Sequence, residues 1–304
     1  MRSTLGVLRG WFFNQPYLLL VFTTLMWGGN VVAGKLAVGE VSPMMVTFLR
    51  WFISFGTLAV VARGPIQAEW RLLLPHWRYV LMMGAIGFTA FNALFYEAAH
   101  YTTAVNIAII QGSTPIFILI GAVLFFGGAV GPIQAAGVAL TILGVALTAS
   151  HGDVGVLTAL SFNRGDLWLL VASVLYAAYT ILLRRRPATS GLVFFAALAL
   201  AACITSVPLV IAEAVAGQLQ WPTLKGWAVL LYVAWLPSLL CQICYIRALE
   251  LIGPSRASAF YNLVPVFGAL LSTTLLREPF SLSDALALAM VIGGILVAER
   301  GRAR

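Results

Sequence analysis

The sequence is poor in charge. Asp, Glu, Lys and Arg together make up 9% of its 304 residues, while 61% are hydrophobic. Ordinary globular proteins carry roughly a quarter charged residues, so this composition excludes a soluble domain. Cysteine is scarce too. Cys203, Cys241 and Cys244 all fall inside apolar runs, which argues against a disulfide framework and leaves the compartment unread. Cys241 and Cys244 form a C-x-x-C with no second Cys or His pair beside it, which reads as packing rather than as a metal or redox site. His76, His100 and His151 are scattered, and H-E-x-x-H, a Gly-rich phosphate loop, a Walker A motif and a nucleophile elbow are all missing. Neither paired carboxylates nor a Ser/His set lies at depth in the apolar runs. These absences argue against an enzyme, against ATP hydrolysis by the chain itself, and against a bound metal or cofactor.

What the chain does have is apolar runs of about 17 to 25 residues, each able to cross a bilayer as a helix. They lie at 17–37, 44–62, 79–99, 103–126, 131–148, 166–184, 190–212, 227–249, 255–275 and 282–299. The expected fold is therefore an all-α integral membrane protein of ten transmembrane helices. Arg2 and Arg9 precede the first run, which has span length and no small-residue cleavage site, so it reads as an uncleaved helix. The net charge of +8 sits mostly in short loops, where it acts as an orientation signal and does not call for a nucleic-acid partner. With both termini cytoplasmic, thirteen basic residues fall inside: Arg2, Arg9, Arg63, Arg71, Arg78, Arg184, Arg185, Arg186, Arg247, Arg256, Arg300, Arg302 and Arg304. Lys35, Arg164, Lys225 and Arg277 fall outside, and Arg50 lies within a span.

The chain also repeats itself. An offset of 150 sets Pro115 on Pro265, Gln111 on Tyr261, Phe117 on Phe267, Ala98 on Ala248 and Gly144 on Gly294. The polar stretch 149–165 divides a first unit, 17–148, from a second, 166–299, with tails at 1–16 and 300–304. Five spans in each unit is an odd number, so the units run through the membrane in opposite senses. The repeat is an inverted one, with its pseudo-two-fold axis in the membrane plane.

Polar residues inside spans are costly unless they face a cavity or a partner. The offset places Asn92 opposite Gln242 and Phe95 opposite Tyr245. Phe88, Asn92, Phe95 and Tyr96 share a helical face by their spacing, as do Ser238, Gln242 and Tyr245. With Gln111, Tyr261 and Asn262, these residues make a lining of amides and rings suited to a polar, flat substrate. Hydrogen-bonded glue between helices is the competing reading. Trp27, Asn30 and Tyr179 join the candidate lining, and Pro115 and Pro265 mark candidate hinges where the helix ladder breaks. Arg50 reads as one half of an ion pair with Glu40 or Glu97, or else as the partner of an acidic substrate group. Glu97 and His100, three residues apart, are the candidates for a titrating couple.

WGGNVVAGK, SPMMVTFLRW, YTTAVNIAIIQGSTPIF and the later ALELIGPSRASAFYNLVPVFGALLSTTLLREPFS resemble the EamA family of the drug/metabolite transporter superfamily, over about 17–299. That resemblance implies a ten-helix exporter of small metabolites in a plasma membrane, the bacterial inner membrane, whose cavity lies between the two halves. Amino-acid exporters, some favouring aromatic amino acids, would be its functional relatives. The partners implied are a small-molecule substrate and the lipid bilayer. Export of drugs or other metabolites is the alternative within the class, and a membrane-embedded enzyme or a sensor the alternative outside it. The first unit has FGGAVGP where the second has REPFS, so the family's charged pair is present once, as Arg277 and Glu278.

Overall fold

The computed structural model describes residues 12–126, 131–150, 152, 163–253 and 260–301. The expectations that rest on Arg2, Arg9, His151, Arg256, Arg302 and Arg304, on the start of the span at 255, and on most of the stretch 149–165 lie outside those residues. The described chain is helical: α1 Pro16–Ala37, α2 Pro43–Val61, α3 Arg63–Leu73, α4 Trp77–Gly84, α5 Phe91–Ala98, α6 Ala104–Gly112, α7 Thr114–Phe126, α8 Pro132–Ala149, α9 Arg164–Leu182, α10 Gly191–Val215, α11 Leu224–Val233, α12 Cys241–Ile252, α13 Leu263–Leu275 and α14 Leu282–Arg300. Eight helical stretches are long and apolar enough to cross a membrane, and two shorter apolar ones, Pro132–Thr148 and Phe260–Leu275, accompany them.

One helix was not anticipated. The segment expected as an inner loop folds as α3, whose Ile66, Trp70 and Leu73 recur on one side while Arg63, Gln67 and Arg71 fall on the other. That pattern is short and amphipathic, so it gives no span-length apolar run.

The packing has a two-fold pattern. α1 lies on α12 and α13, and α9 correspondingly on α5, α6 and α7; α2 lies on α10, and α8 on α14. The α8–α14 pair shows the pattern at atomic scale. A Cβ on Gly137 would fall 2.5 Å from Gly294 O, and one on Gly144 would fall 2.9 Å from Ala287 O. Moving Gly137 up by 150, to Ala287, and Gly294 down by 150, to Gly144, turns the first contact into the second. Ascending numbers on α8 meet descending numbers on α14, so the two helices are antiparallel, which fits an inverted repeat. Gly137, Gly144 and Gly294 therefore serve packing within the chain, while Gly293 faces open space.

The repeat extends to two irregularities. A π-helical stretch, Ala85–Ala90, joins α4 to α5, and another, Ala234–Leu240, joins α11 to α12. A shift of 150 superposes them within a residue. Such insertions are rare and gather at functional sites. The fourth span is interrupted at Ser113, where α6 ends and α7 begins, so Pro115 sits in the first turn of a new helix. Its counterpart shows a 3-10 turn, Phe260–Asn262, before α13, with Pro265 again in the first turn. A proline there lacks only an N–H that would have had no intrahelical partner.

Candidate functional site

Arg50 is the centre of the site. Its side chain leaves the middle of α2, and the residue is 7% exposed. Nε donates to Ser238 Oγ at 2.6 Å, and Nη1 to Asn92 Oδ1 at 2.8 Å, Tyr96 Oη at 2.9 Å and Asn30 Oδ1 at 3.3 Å. The guanidinium carbon also lies 5.2 Å from the centre of the Trp51 ring, within reach of its negative face. The acceptors are themselves held: Asn92 Nδ2 donates to Phe88 O at 2.5 Å and Ser238 Oγ to Val233 O at 2.6 Å. Both anchor carbonyls belong to, or border, the π-helical stretches. The irregular backbone thus aims the groups that grip Arg50.

This corrects the ion-pair expectation. Among the described residues no carboxylate lies within salt-bridge distance of Arg50. Glu40 instead accepts from Thr223 and, at 3.1 Å, from Lys225. Glu97 is approached by the Tyr101 hydroxyl at 3.4 Å, near the surface. Glu40 sits on the turn after α1, and Glu97 is on the last turn of α5, whereas Arg50 lies two turns deep in α2. Neutral oxygens, all within the helix layer, reach it first.

Beside Arg50 is a cavity of about 110 Å³ between the two repeats, where one water needs roughly 10–15 Å³. Seven of its sixteen lining residues are aromatic, among them Trp27, Trp51, Tyr176 and Tyr261, and Asn30, Asn92, Gln111, Gln242 and Ser238 supply polar groups. Trp27 donates to Pro237 O at 2.9 Å and packs on Tyr245 and Tyr261 at ring-centre distances of 5.3 and 5.7 Å. A second space of about 410 Å³ leads toward Arg186 and Glu250, and Phe195 and Gln242 line both.

Of the residues singled out from the sequence, Trp27, Asn30, Arg50, Asn92, Gln111, Gln242 and Tyr261 line the cavity. Tyr179 and Tyr245 line the adjoining space. Tyr96 is buried behind Arg50, and Phe95 turns away to pack against Gly34. Asn262 is buried next to Tyr261, with an amide nitrogen that has no partner among the described residues. Glu97 and His100 stand at the end of α5, away from the cavity lining. Phe88 and Ser238, placed on the two shared faces by their spacing, also line the cavity, whereas Trp51, Phe91 and Phe195 line it without any such signal in the sequence.

The end of the bundle opposite Arg186 is closed by bonds between the repeats. Glu213 accepts from Ser42 Oγ at 2.6 Å and Met44 N at 3.1 Å, and Glu278 from Ala104 N and Val105 N, both at 3.0 Å. Carboxylates at helix N-termini meet unpaired N–H groups and the positive end of the dipole. Lys35 donates to Ala99 O at 2.9 Å and Thr102 O at 2.8 Å, the reverse arrangement at the end of the third span. Glu278 thus has a local role despite the absence of its counterpart in the first repeat.

The model of the EamA-like transporter family matches residues 14–150 and again 163–299. The chain belongs to this family. Among its relatives are the uncharacterized transporter YyaM of Bacillus subtilis, 25% identical over 93% of each chain, and the uncharacterized inner membrane transporter YedA of Escherichia coli K12, 26% identical over 91% of this chain and 88% of that one. An uncharacterized transporter of Archaeoglobus fulgidus is 24% identical over 93% and 96%. One crystal structure at 19% identity covers 95% of this chain and 99% of its own with a TM-score of 0.64, which supports the shared fold. This EamA protein is a membrane transporter, and the two family matches coincide with the two packed repeats.

Proposed function

We propose that this EamA transporter exports amino acids, aromatic ones included, or related small metabolites across the bacterial inner membrane by alternating access. It moves its cargo without chemical change. The observation that carries this reading is the cavity between the repeats, where amides from both halves meet aromatic rings beside one cation. Rings take up a flat apolar side chain, amides serve either end of a zwitterion, and Arg50 meets a carboxylate. The inner-membrane assignment is supported by the relative YedA, an inner membrane transporter of Escherichia coli, and by the positive-inside bias. In that orientation the Arg186 end faces the cytoplasm and the end closed by Glu213 and Glu278 faces outward. The broken fourth and ninth spans, with Pro115 and Pro265 in matching first turns, are the hinges about which the halves rock.

Uptake of a labelled amino-acid panel into proteoliposomes, with and without a pH gradient, tests the reading. Saturable uptake of aromatic amino acids is expected, at least tenfold lower in Gln242→Ala/Tyr261→Ala. If no amino acid crosses faster than in protein-free liposomes, the amino-acid assignment is wrong.

A further inference from the structure

Arg50 has more donors than the protein uses. Nε and Nη1 are satisfied, but Nη2 donates no hydrogen bond among the described residues, and Arg50 is part of the cavity wall. Trp51, on the same wall, has a buried indole N–H without a partner among the described residues. No carboxylate is among the sixteen lining residues. The described lining therefore carries one full positive charge with no carboxylate to balance it, beside amides that can serve either partner. A charge buried this way is expensive, and removing it from water is repaid only by an opposite charge in good geometry. Arg50 is also pre-oriented. Four neutral acceptors on α1, α5 and the stretch before α12 hold it, so its free edge is presented without the loss of side-chain freedom that a mobile arginine would suffer.

We propose that this cavity selects its cargo by a carboxylate seated on Arg50, does not require an ammonium group, and therefore carries aromatic monocarboxylates as anions. The proposal rests on the export reading above and narrows its substrate class. An amino acid satisfies the carboxylate half of the site, but its ammonium finds only ring faces and amide oxygens. A des-amino aromatic acid satisfies the same half and has no ammonium to accommodate. An aromatic amine lacking the carboxylate adds a second cation beside Arg50 and is repelled. The energetics of export follow. A monoanion leaving the cell moves down an inside-negative potential, worth about 2.3 kcal/mol per 100 mV, or about a fiftyfold outward accumulation at that potential. An uncoupled carrier of such an anion has no need of a proton-binding acid in its cavity.

The test compares three probes of the same ring size in proteoliposomes at alkaline pH, each corrected for protein-free leak: 3-phenylpropionate, phenylalanine and phenethylamine. Competition by each probe against phenylalanine efflux, and quenching of cavity tryptophan fluorescence in detergent, read recognition apart from leak. The wild-type protein is expected to take 3-phenylpropionate at least as well as phenylalanine and to ignore phenethylamine. An inside-negative potassium diffusion potential should accelerate 3-phenylpropionate efflux severalfold and leave phenylalanine efflux unchanged. Arg50→Gln should weaken both carboxylates by a hundredfold or more, with Arg50→Lys recovering part of the loss. Because the probe series uses wild-type protein, a misfolded variant does not disarm it. Transport of phenylalanine without 3-phenylpropionate, or recognition of phenethylamine, overturns the proposal while leaving amino-acid export standing. If none of the three moves, both readings fall together.

Discussion

In the first repeat a π-helical stretch leads into Asn92, and in the second its counterpart leads into Gln242. The two amides occupy matching places on the cavity wall, yet they do different work. Asn92 is bonded at both ends, to Arg50 and to Phe88 O. Gln242 has no side-chain hydrogen bond among the described residues and stands between the cavity and the space toward Arg186. The cause of the divergence is Arg50 itself, since an offset of 149 or 150 sets Ala199 or Leu200 against it. Duplication supplied the frame, and a single charge in one copy turned a symmetric shell into a polarised site. Elsewhere the two copies kept matching devices. Glu213 of the second repeat holds the start of α2, while Glu69 of the first accepts from Ser190 N, at 2.7 Å, at the start of α10.

The frame is the part most sensitive to substitution. On Gly137 a Cβ would lie 2.4 Å from Ala298 N, and neither backbone can retreat without parting α8 from α14. Gly137→Ala should destabilise the detergent-solubilised protein by about 1–3 kcal/mol, the usual penalty for overpacking. Gly144→Ala meets its nearest atom at 2.9 Å and should cost less. Gly293→Ala meets nothing within 4 Å and should be neutral or slightly stabilising, since alanine favours helix by up to about 1 kcal/mol. Thermal melts of the three variants decide the matter. Equal losses at Gly137 and Gly293 would mean that the α8–α14 contact is not the one described.

The asymmetry between the amides should separate stability from transport. Asn92→Ala leaves a buried guanidinium short of its acceptor, with an expected loss of about 1–3 kcal/mol, and it also frees Arg50 to shift within the cavity. Gln242→Ala removes no protein bond and should change stability by less than about 0.5 kcal/mol while raising KM for the transported substrate. Melting and transport measured on the same preparations would show the contrast. If Gln242→Ala were the more destabilising of the two, Arg50 would not be anchored as described.

Much of the frame is legible in the sequence because two signals are strong. A 150-residue offset aligns Pro115 with Pro265 without a gap, and apolar runs of span length stand out against so little charge. The interruption beside Pro115 follows from its missing N–H. The site was only half legible. Trp27, Asn92, Gln111, Gln242 and Tyr261 betray themselves as polar or amphipathic groups at depth. Most of the aromatic wall does not, since Trp51, Phe91 and Phe195 are equally at home facing lipid and a ring adds no polarity to a span. Nor could the π-helical stretches be read, because Gly87 and Pro237 mark only a weak point in each helix and one added residue shifts the register without changing composition. Arg50 was recognised as exceptional, but its expected nearness to the same membrane side as Glu40 and Glu97 suggested acidic partners, whereas neutral oxygens from three other segments meet it in space.

The weakest element of the comparison is the clasp at the closed end, where Glu40 of the first repeat meets Thr223 and Lys225 of the second. The Thr223 hydroxyl, then the Lys225 ammonium, bond the Glu40 carboxylate and hold it below the usual carboxylate range. A carboxyl so lowered binds protons less readily in the folded protein than in the unfolded one. Its contribution to stability is therefore complete above the ordinary carboxylate range and is lost as the pH falls through the lowered value. The pair is solvent-accessible, with 56% of the Lys225 side chain exposed, so salt and water weaken it. Lys225→Met should leave the neutral-pH melt nearly unchanged. Thr223→Val removes the larger cause and should move the acid limb of the stability curve further than Lys225→Met does, toward higher pH. A lysine variant with the larger acid shift would make the clasp chiefly electrostatic, and high salt would then have to reproduce the Lys225→Met profile in the native protein.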